Sequence, residues 1–192
     1  MVDQVVIRSA KAEDVPGVLP MVAKICAFHE ALDPAKYGFL PEPARMYDRW
    51  LVSRTKDARS VFLVAEREAS AAEPALLAGF LVATTEREIG IYRLKEFGFV
   101  HDLWVEPAYR NEGLARQMMM LAVERFREIG VTQVRMDVAY KNDAARRLFE
   151  SCGFRVSTTE MLTVLNDGGA DSGADSGADS GADSGAEGGA KR

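Results

Sequence analysis

The chain has 192 residues, 47% of them hydrophobic and 28% charged, a composition typical of one soluble domain with a core of ordinary size. The net charge is −5, of which residues 166–192 carry −4, so residues 1–165 are nearly neutral and lack the basic field that nucleic-acid binding requires. We find no apolar run of the roughly 20 residues that span a bilayer, and the first residues do not resemble a signal peptide. The sequence therefore predicts a cytoplasmic protein without a membrane-spanning segment.

The first half of the chain alternates between segments with strand and helix periodicity. Pro20 lies inside the first helical segment and is expected to kink or divide it. The two long apolar strands that follow are joined by a short turn through Pro74, which favours antiparallel pairing. The predicted elements are a strand at 5–9, a helix at 13–32, a loop at 32–43, a helix at 44–54, and strands at 60–68 and 75–86.

The second half has strands and helices in strict alternation, which predicts parallel pairing of its strands. The whole chain is therefore expected to form a mixed, twisted α/β sheet of six to seven strands flanked by helices. The predicted elements are a strand at 97–107, a helix from Gly113 to about Ile129, a strand at 131–140, a short helix at 142–153, and a last strand or strand pair at 154–165.

The C-terminal tail is a four-residue repeat, "GADSGADSGADSGADSGA". It has no apolar side chain larger than alanine, so burial cannot offset the entropy of ordering its backbone. We therefore divide the chain into a folded domain at 1–165 and a disordered acidic tail at 166–192. Cys26 and Cys152 are too few for a disulfide framework, and no metal site is predicted.

A sharp turn between the fourth strand and the following helix, "VEPAYRNEGLARQMM", is the first candidate site. Unpaired N–H groups at a helix N-terminus attract anions, and Gly113 removes the side chain that would block a close approach. Arg110 is placed to add a charge-assisted contact to the same anion. A turn that needs glycine only for its backbone angles is the structural alternative.

A second segment, "VAYKNDAARRLFESCGF", places Asn142 directly after a strand and Gly153-Phe154 where the next helix stops. Together with "VHDLWVEPAYRNEGLARQMM", it resembles the GNAT superfamily of acyl-CoA-dependent N-acetyltransferases. The turn of that family has Arg or Gln, two residues, Gly, one residue, and Gly or Ala. Arg110, Gly113 and Ala115 match this pattern. The resemblance covers about residues 4–165, with all segments in the family's order.

The resemblance implies that acetyl-CoA binds where the fourth and fifth strands splay apart. Backbone groups of the fourth strand would bond the amides of the pantetheine arm, and the N–H groups that open the helix would hold the pyrophosphate. Asn142 would hold the cofactor near its thiol end, although it also suits the N-cap of its own helix. The implied cofactor residues are Leu103, Trp104, Val105, Arg110, Asn111, Glu112, Gly113, Leu114, Ala115, Arg116, Asn142, Ala145 and Phe149.

Acetyl transfer to an amine needs a proton acceptor and a way to protonate or stabilise the leaving thiolate. Strand alternation places Phe99, His101 and Leu103 on one face and Asp102 on the other. His101 is the candidate general base, with a histidine packed in the sheet as the alternative. The family's usual acid, a tyrosine after the leucine of the last helix, is replaced by Phe149. Water, Tyr140 or the absence of chemistry remain as explanations, and we favour water.

The resemblance implies that the first two helices and their loop wall the acceptor site, together with Phe99. Glu30, Asp33 and Tyr37 are candidates for binding a cationic amine there, and a capped loop is the structural alternative. We predict an N-acetyltransferase that uses acetyl-CoA and a primary amine of a small molecule or peptide. A CoA-binding regulatory module without turnover is the second hypothesis, and a structural protein is the third. Dimers are common among relatives, but no residue points to a homodimer here.

Overall fold

The structure is a computed structural model that describes residues 5–69 and 74–165. Its helices and strands follow the predicted order as far as the last helix, and all of them lie within one compact unit that ends at Leu162. The predicted acidic tail, residues 166–192, lies outside the described residues, so its disorder and the domain boundary stay predictions. The elements are β1 (Val5–Ser9), α1 (Val15–Leu32), α2 (Pro43–Arg54), β2 (Val61–Arg67), β3 (Leu76–Arg87), β4 (Glu96–Val105), α3 (Leu114–Glu128), β5 (Val134–Met136) and α4 (Asp143–Ser151).

The five strands form one sheet in the order β1-β2-β3-β4-β5. The first four pair antiparallel, and β5 pairs parallel to β4. This mixed sheet confirms the predicted α/β class, but the six to seven strands are not confirmed. Residues 154–165, predicted as a strand or strand pair, have no regular secondary structure, and the predicted strand at 131–140 contributes only three residues. Residues 155–165 are exposed, so no buried face holds them in a strand register.

The sheet buries both faces under helices. On one face, α1 and α2 pack against Phe62, Val64 and Phe80 of the sheet. On the other, α3 packs against a cluster that includes Leu81 and Val100, and Phe149 of α4 packs against the same cluster. The α1 and α2 face and the α3 face are therefore separate cores, and β4 contributes to both.

Helix α1 is continuous through Pro20, which neither divides it nor ends it. Including the short turn before it, the stretch Ala12–Leu32 is long and apolar enough to cross a membrane by length and composition alone. The prediction that no such run exists is therefore wrong on that count. Because its apolar side chains pack against the sheet, we interpret α1 as a core helix; these are Val15, Val18, Met21, Val22, Ile25 and Cys26.

Candidate active site

A cleft opens where β4 and β5 stop pairing. The parallel register runs from Gly98 opposite Val134 to Val100 opposite Met136 and then ends, while β4 continues to Val105. Beyond Val100, the edge of β4 has no strand partner on the β5 side in the described part of the chain. The space between the diverging chains is lined by Ile25, His29, Val100, His101, Asp102, Leu103, Met136, Asp137, Val138, Ala139, Asn142, Ala145 and Phe149.

A β-bulge at His101 sets which side chains face the α1 and α2 side of this cleft. Val82 pairs with Asp102 and Ala83 with Val100, so His101 is an extra residue in β4. The bulge interrupts the alternation, and both His101 and Asp102 therefore face α2. Leu103 instead packs with the cluster on the α3 face. The prediction that Asp102 lies opposite His101 and that Leu103 shares its side was wrong, because it assumed an unbroken strand.

The imidazole of His101 is held between aromatic rings and a polar chain from β3. Its ring lies edge-on to Trp50 and Phe99, with centroid distances of 5.1 Å to each. Its Nε2 is 2.7 Å from Thr84 Oγ1 and 3.8 Å from Glu86 Oε1. Burial lowers the pKa of His101 below its usual 6.5, Glu86 opposes this shift, and Arg54 adds to it. A neutral imidazole at the cleft is suited to accept a proton.

Asp102 is a site residue that strand alternation did not reveal. It is only 8% exposed, and its Oδ2 has no hydrogen-bond partner in residues 5–69 and 74–165. Burial raises its pKa from 3.8 to about 6, and a hydrogen bond from Tyr47 offsets part of that rise. A charged residue inside the apolar stretch "FVHDLWV" was the available signal, since an ionised carboxylate is costly to bury without full pairing.

The turn between β4 and α3 presents free backbone donors. Asn111 has φ +66° and Gly113 has φ +78°, so two left-handed residues shape the turn. Among the described residues, no acceptor is bonded to the backbone N–H groups of residues 111–116, and the α3 ladder begins with Gln117 donating to the Gly113 carbonyl. A turn of this kind followed by a helix N-terminus forms a concavity that suits an anion.

Arg110 holds this turn against β4. Its Nε donates to the Val105 carbonyl at 2.9 Å, and its guanidinium lies 4.7 Å from the centroid of the Trp104 ring. These contacts fix the position of the turn relative to the strand. The observed contacts of Arg110 position the turn, and its predicted direct contact with the anion stays a prediction.

The second predicted segment also reaches the cleft. Asn142 Oδ1 accepts a hydrogen bond from the Ala145 N–H at 3.1 Å, so it is the N-cap of α4, and it lines the cleft as well. Ala145 and Phe149 follow it along the wall. Phe149 packs edge-on to Phe154 at 6.3 Å, which fixes its ring at the end of α4.

Three other candidates do not line the cleft. Tyr140 is 82% exposed, carries Arg146 over its ring, and is not among the lining residues. Glu30 is exposed, and Asp33 Oδ1 accepts from the backbone N–H groups of Ala35 and Lys36, as the loop alternative required.

The ring of Tyr37 stacks on that of His29 at 5.0 Å, and burial, followed by Asp137 and Asp33, raises its pKa. His29 lines the cleft one turn after Ile25, a spacing of four that was visible in the sequence.

Comparison with known proteins identifies the family of this arrangement. The model of the acetyltransferase (GNAT) family matches residues 25–154. The chain belongs to the GNAT family. It is 32% identical over 109 residues to an uncharacterized N-acetyltransferase of Archaeoglobus fulgidus, covering 57% of this chain and 67% of that protein. It is 34% identical over 71 residues to GCN5-related N-acetyltransferase 6, chloroplastic, of Arabidopsis thaliana, but covers only 37% of this chain and 25% of that protein.

A solved structure shows the same fold. The predicted acetyltransferase of Clostridium acetobutylicum, solved with acetyl-CoA, superposes with a TM-score of 0.63 at 17% identity and covers 84% of this chain and 96% of that one. The predicted family and the prediction of an acyltransferase enzyme are thus confirmed for this GNAT chain. These matches lend no support to the alternative of an inactive CoA-binding module.

Proposed function

We propose that this GNAT protein transfers an acetyl group from acetyl-CoA to a primary amine of a small molecule or peptide, by direct attack in a ternary complex. The observation that carries the proposal is the set of unbonded N–H groups at residues 111–116, placed beside a cleft where two parallel strands separate. A diphosphate supplies the negative charge that such a helix N-terminus favours.

The residues present fit acetyl-CoA along this path. The N–H groups of Asn111, Glu112, Gly113, Leu114, Ala115 and Arg116 would bind the diphosphate. The edge of β4 at 103–105 would bond the amides of the pantetheine arm through backbone groups other than the Val105 carbonyl. That carbonyl accepts from Arg110, which holds the turn in place. Asn142, Ala145 and Phe149 would border the thioester end. When bound, acetyl-CoA supplies the activated acyl group.

The chemistry then falls to the residues at the inner end of the cleft. The amine nitrogen attacks the thioester carbonyl carbon, a C–N bond forms, and the C–S bond breaks. The proton released by the amine passes to the imidazole of His101, directly or through a water molecule. The CoA thiolate takes a proton from water, because Phe149 has none to give and Tyr140 lies outside the lining. Thiolate is a tolerable leaving group, since a thiol has a pKa of about 8.5.

The acceptor site is proposed on the α1 and α2 side, next to Phe99 and His101. Tyr37 stacks on His29 of the cleft wall and lies near Asp33 and Asp137, and carboxylates there would attract a cationic amine. Glu30 is exposed near the C-terminal end of α1. A cytoplasmic location stays a prediction of the sequence, and a homodimer is an expectation that rests on the family resemblance alone.

The cofactor proposal is tested with a pair of glycine variants. Gly113→Val places a β-branched residue at φ +78° within the diphosphate turn, and Gly130→Val places the same residue at φ +87° at the other end of α3. Both substitutions strain a left-handed backbone. We expect wild type and Gly130→Val to gain about 2.7 kcal/mol of stability at 100 times the dissociation constant of acetyl-CoA, and Gly113→Val to gain far less. Equal gains for both variants would overturn the assignment.

The reaction itself is tested by measuring release of free thiol from acetyl-CoA in the presence of a broad panel of primary amines. We expect at least one amine to give release above background. His101→Ala should lower turnover and change its pH profile while leaving acetyl-CoA binding intact. If acetyl-CoA binds and no amine gives thiol, the transferase proposal fails, and an unchanged pH profile removes His101 from it.

A further inference from the structure

We propose that Thr84 and Glu86 of β3 hold His101 in the tautomer that carries its proton on Nε2, so that Nδ1 is the atom that accepts the proton of the amine. Thr84 and Glu86 are positioning residues, since they act on the reaction through His101. The inference deepens the transferase proposal and rests on it for the role of His101.

The three groups form a short chain of hydrogen bonds. Thr84 Oγ1 donates to Glu86 Oε1 at 2.6 Å. Thr84 Oγ1 also lies 2.7 Å from His101 Nε2. Thr84 is 3% exposed and Glu86 follows it by two residues, so both side chains leave β3 on the same face. The bulge in β4 makes His101 the residue that meets them there.

The direction of these bonds follows from counting protons. A hydroxyl has one proton, and an ionised carboxylate only accepts, so the proton of Thr84 must go to Glu86. Thr84 Oγ1 is then left with lone pairs, and His101 Nε2 must be the donor across the 2.7 Å contact. In the opposite tautomer, Nε2 and Thr84 Oγ1 would be two acceptors in contact with no proton between them.

Both protonation states of His101 fit this chain without rearrangement. The neutral ring and the imidazolium each carry a proton on Nε2, so the contact with Thr84 is the same before and after Nδ1 takes up a proton. Glu86, 3.8 Å from Nε2, stabilises the imidazolium that results, and Arg54 opposes it. Trp50 and Phe99 pack against the ring without charge, and Asp102 lies next to it in β4.

The tautomer is measured directly by 15N NMR of histidine-labelled protein. The chain contains only two histidines, so the spectrum of the His29→Gln variant contains only the signals of His101 and assigns them in the wild-type spectrum. We expect wild type to show a protonated Nε2 and an unprotonated Nδ1 at a pH above the pKa of His101. A wild-type signal from the Nδ1–H tautomer would overturn the proposal, whatever the activity.

A pair of threonine variants tests the consequence for the reaction. Thr84→Val keeps the shape of the side chain but removes the acceptor, and Thr85→Val removes a hydroxyl that bonds the Arg59 carbonyl at 2.8 Å. We expect Thr84→Val to mix the tautomers and to lower kcat about tenfold or more with little change in KM, because a misdirected base loses much of its effect. Thr85→Val should stay near wild type. Equal rates for wild type and Thr84→Val would overturn the proposed role of Thr84.

A third variant tests the negative charge of Glu86. Glu86→Gln keeps an oxygen that accepts from Thr84 and removes the negative charge that raises the pKa of His101. The acid limb of the pH profile of kcat/KM should therefore move to lower pH. A shift to higher pH would contradict the proposed action of Glu86 on His101. If no amine supports thiol release, the transferase proposal fails while the NMR result still decides the tautomer, so the two failures are distinguishable.

Discussion

The buried carboxyl of Asp102 makes folding stability depend on pH in a way that a neutral variant removes. Its pKa rises from 3.8 in a solvated chain to about 6 in the fold because burial penalises the ionised form. A raised pKa in an acid means that the folded state holds the proton more tightly than the unfolded one. The favourable contribution of the protonated form is therefore complete below pH 3.8 and is lost as the pH rises through 6.

The size of this loss follows from the shift. At 1.36 kcal/mol per pKa unit, a change from 3.8 to about 6 is worth about 3 kcal/mol. Asp102→Asn keeps the shape and has no carboxyl to ionise. Its amide introduces a constant offset, since its N–H groups need acceptors, but that offset does not vary with pH. The quantity to follow is the pH-dependent part of the difference between the two proteins.

The assay is urea unfolding of wild type and Asp102→Asn at closely spaced pH values from 4 to 8. Other ionisable groups affect both proteins alike and cancel in the difference. We expect the free energy of unfolding of wild type, relative to the variant, to fall by about 2.4 kcal/mol between pH 4 and pH 8, because part of the change of about 3 kcal/mol lies below pH 4. Most of this fall should occur below about pH 6.5. A flat difference would show that the carboxyl is solvated. A difference that increases with pH would show that it is ion-paired, and either result would refute the reasoning.

Two further predictions concern the packing of Gly98 in β4 and the missing tyrosine. Gly98→Ala should cost about 1–3 kcal/mol in urea unfolding, because the new Cβ would lie 2.9 Å from the fully buried ring of Phe126, whereas Gly90→Ala, with nothing within 4 Å, should cost far less. Equal costs would contradict this packing. Phe149→Tyr should raise turnover up to about tenfold by adding an O–H donor at the cleft, while Phe154→Tyr adds the same group outside the lining and should not. No gain for Phe149→Tyr would mean that protonation of the thiolate does not limit the rate.

Local patterns predicted the parts of the fold that depend on local physics. The spacing of apolar residues gave α1, and the Asn142 N-cap follows from a side chain that reaches a backbone N–H three residues on. The Gly113 turn was predictable because few residues adopt a left-handed φ.

Features that depend on partners distant in the chain were not predictable. The bulge at His101 arises from its register against β3, and the burial of Asp102 from its position under α1 and α2. Residues 154–165 carry strand-like apolar side chains such as Val156 and Met161, yet these are exposed and the segment has no regular structure. Intrinsic strand propensity was insufficient there without a paired neighbour.

The extra residue in β4 has a consequence for how relatives are compared. Removing one residue between Phe99 and Leu103 would restore simple alternation, and His101 and Asp102 could then no longer both face α2. An ungapped alignment between two members of the family can therefore match residues whose side chains lie on opposite sides of the sheet. Residue roles in β4 should be transferred between relatives by matching the hydrogen-bond register with β3. The number of residues in the strand determines which side chain faces the amine substrate as much as the identity of the residues does.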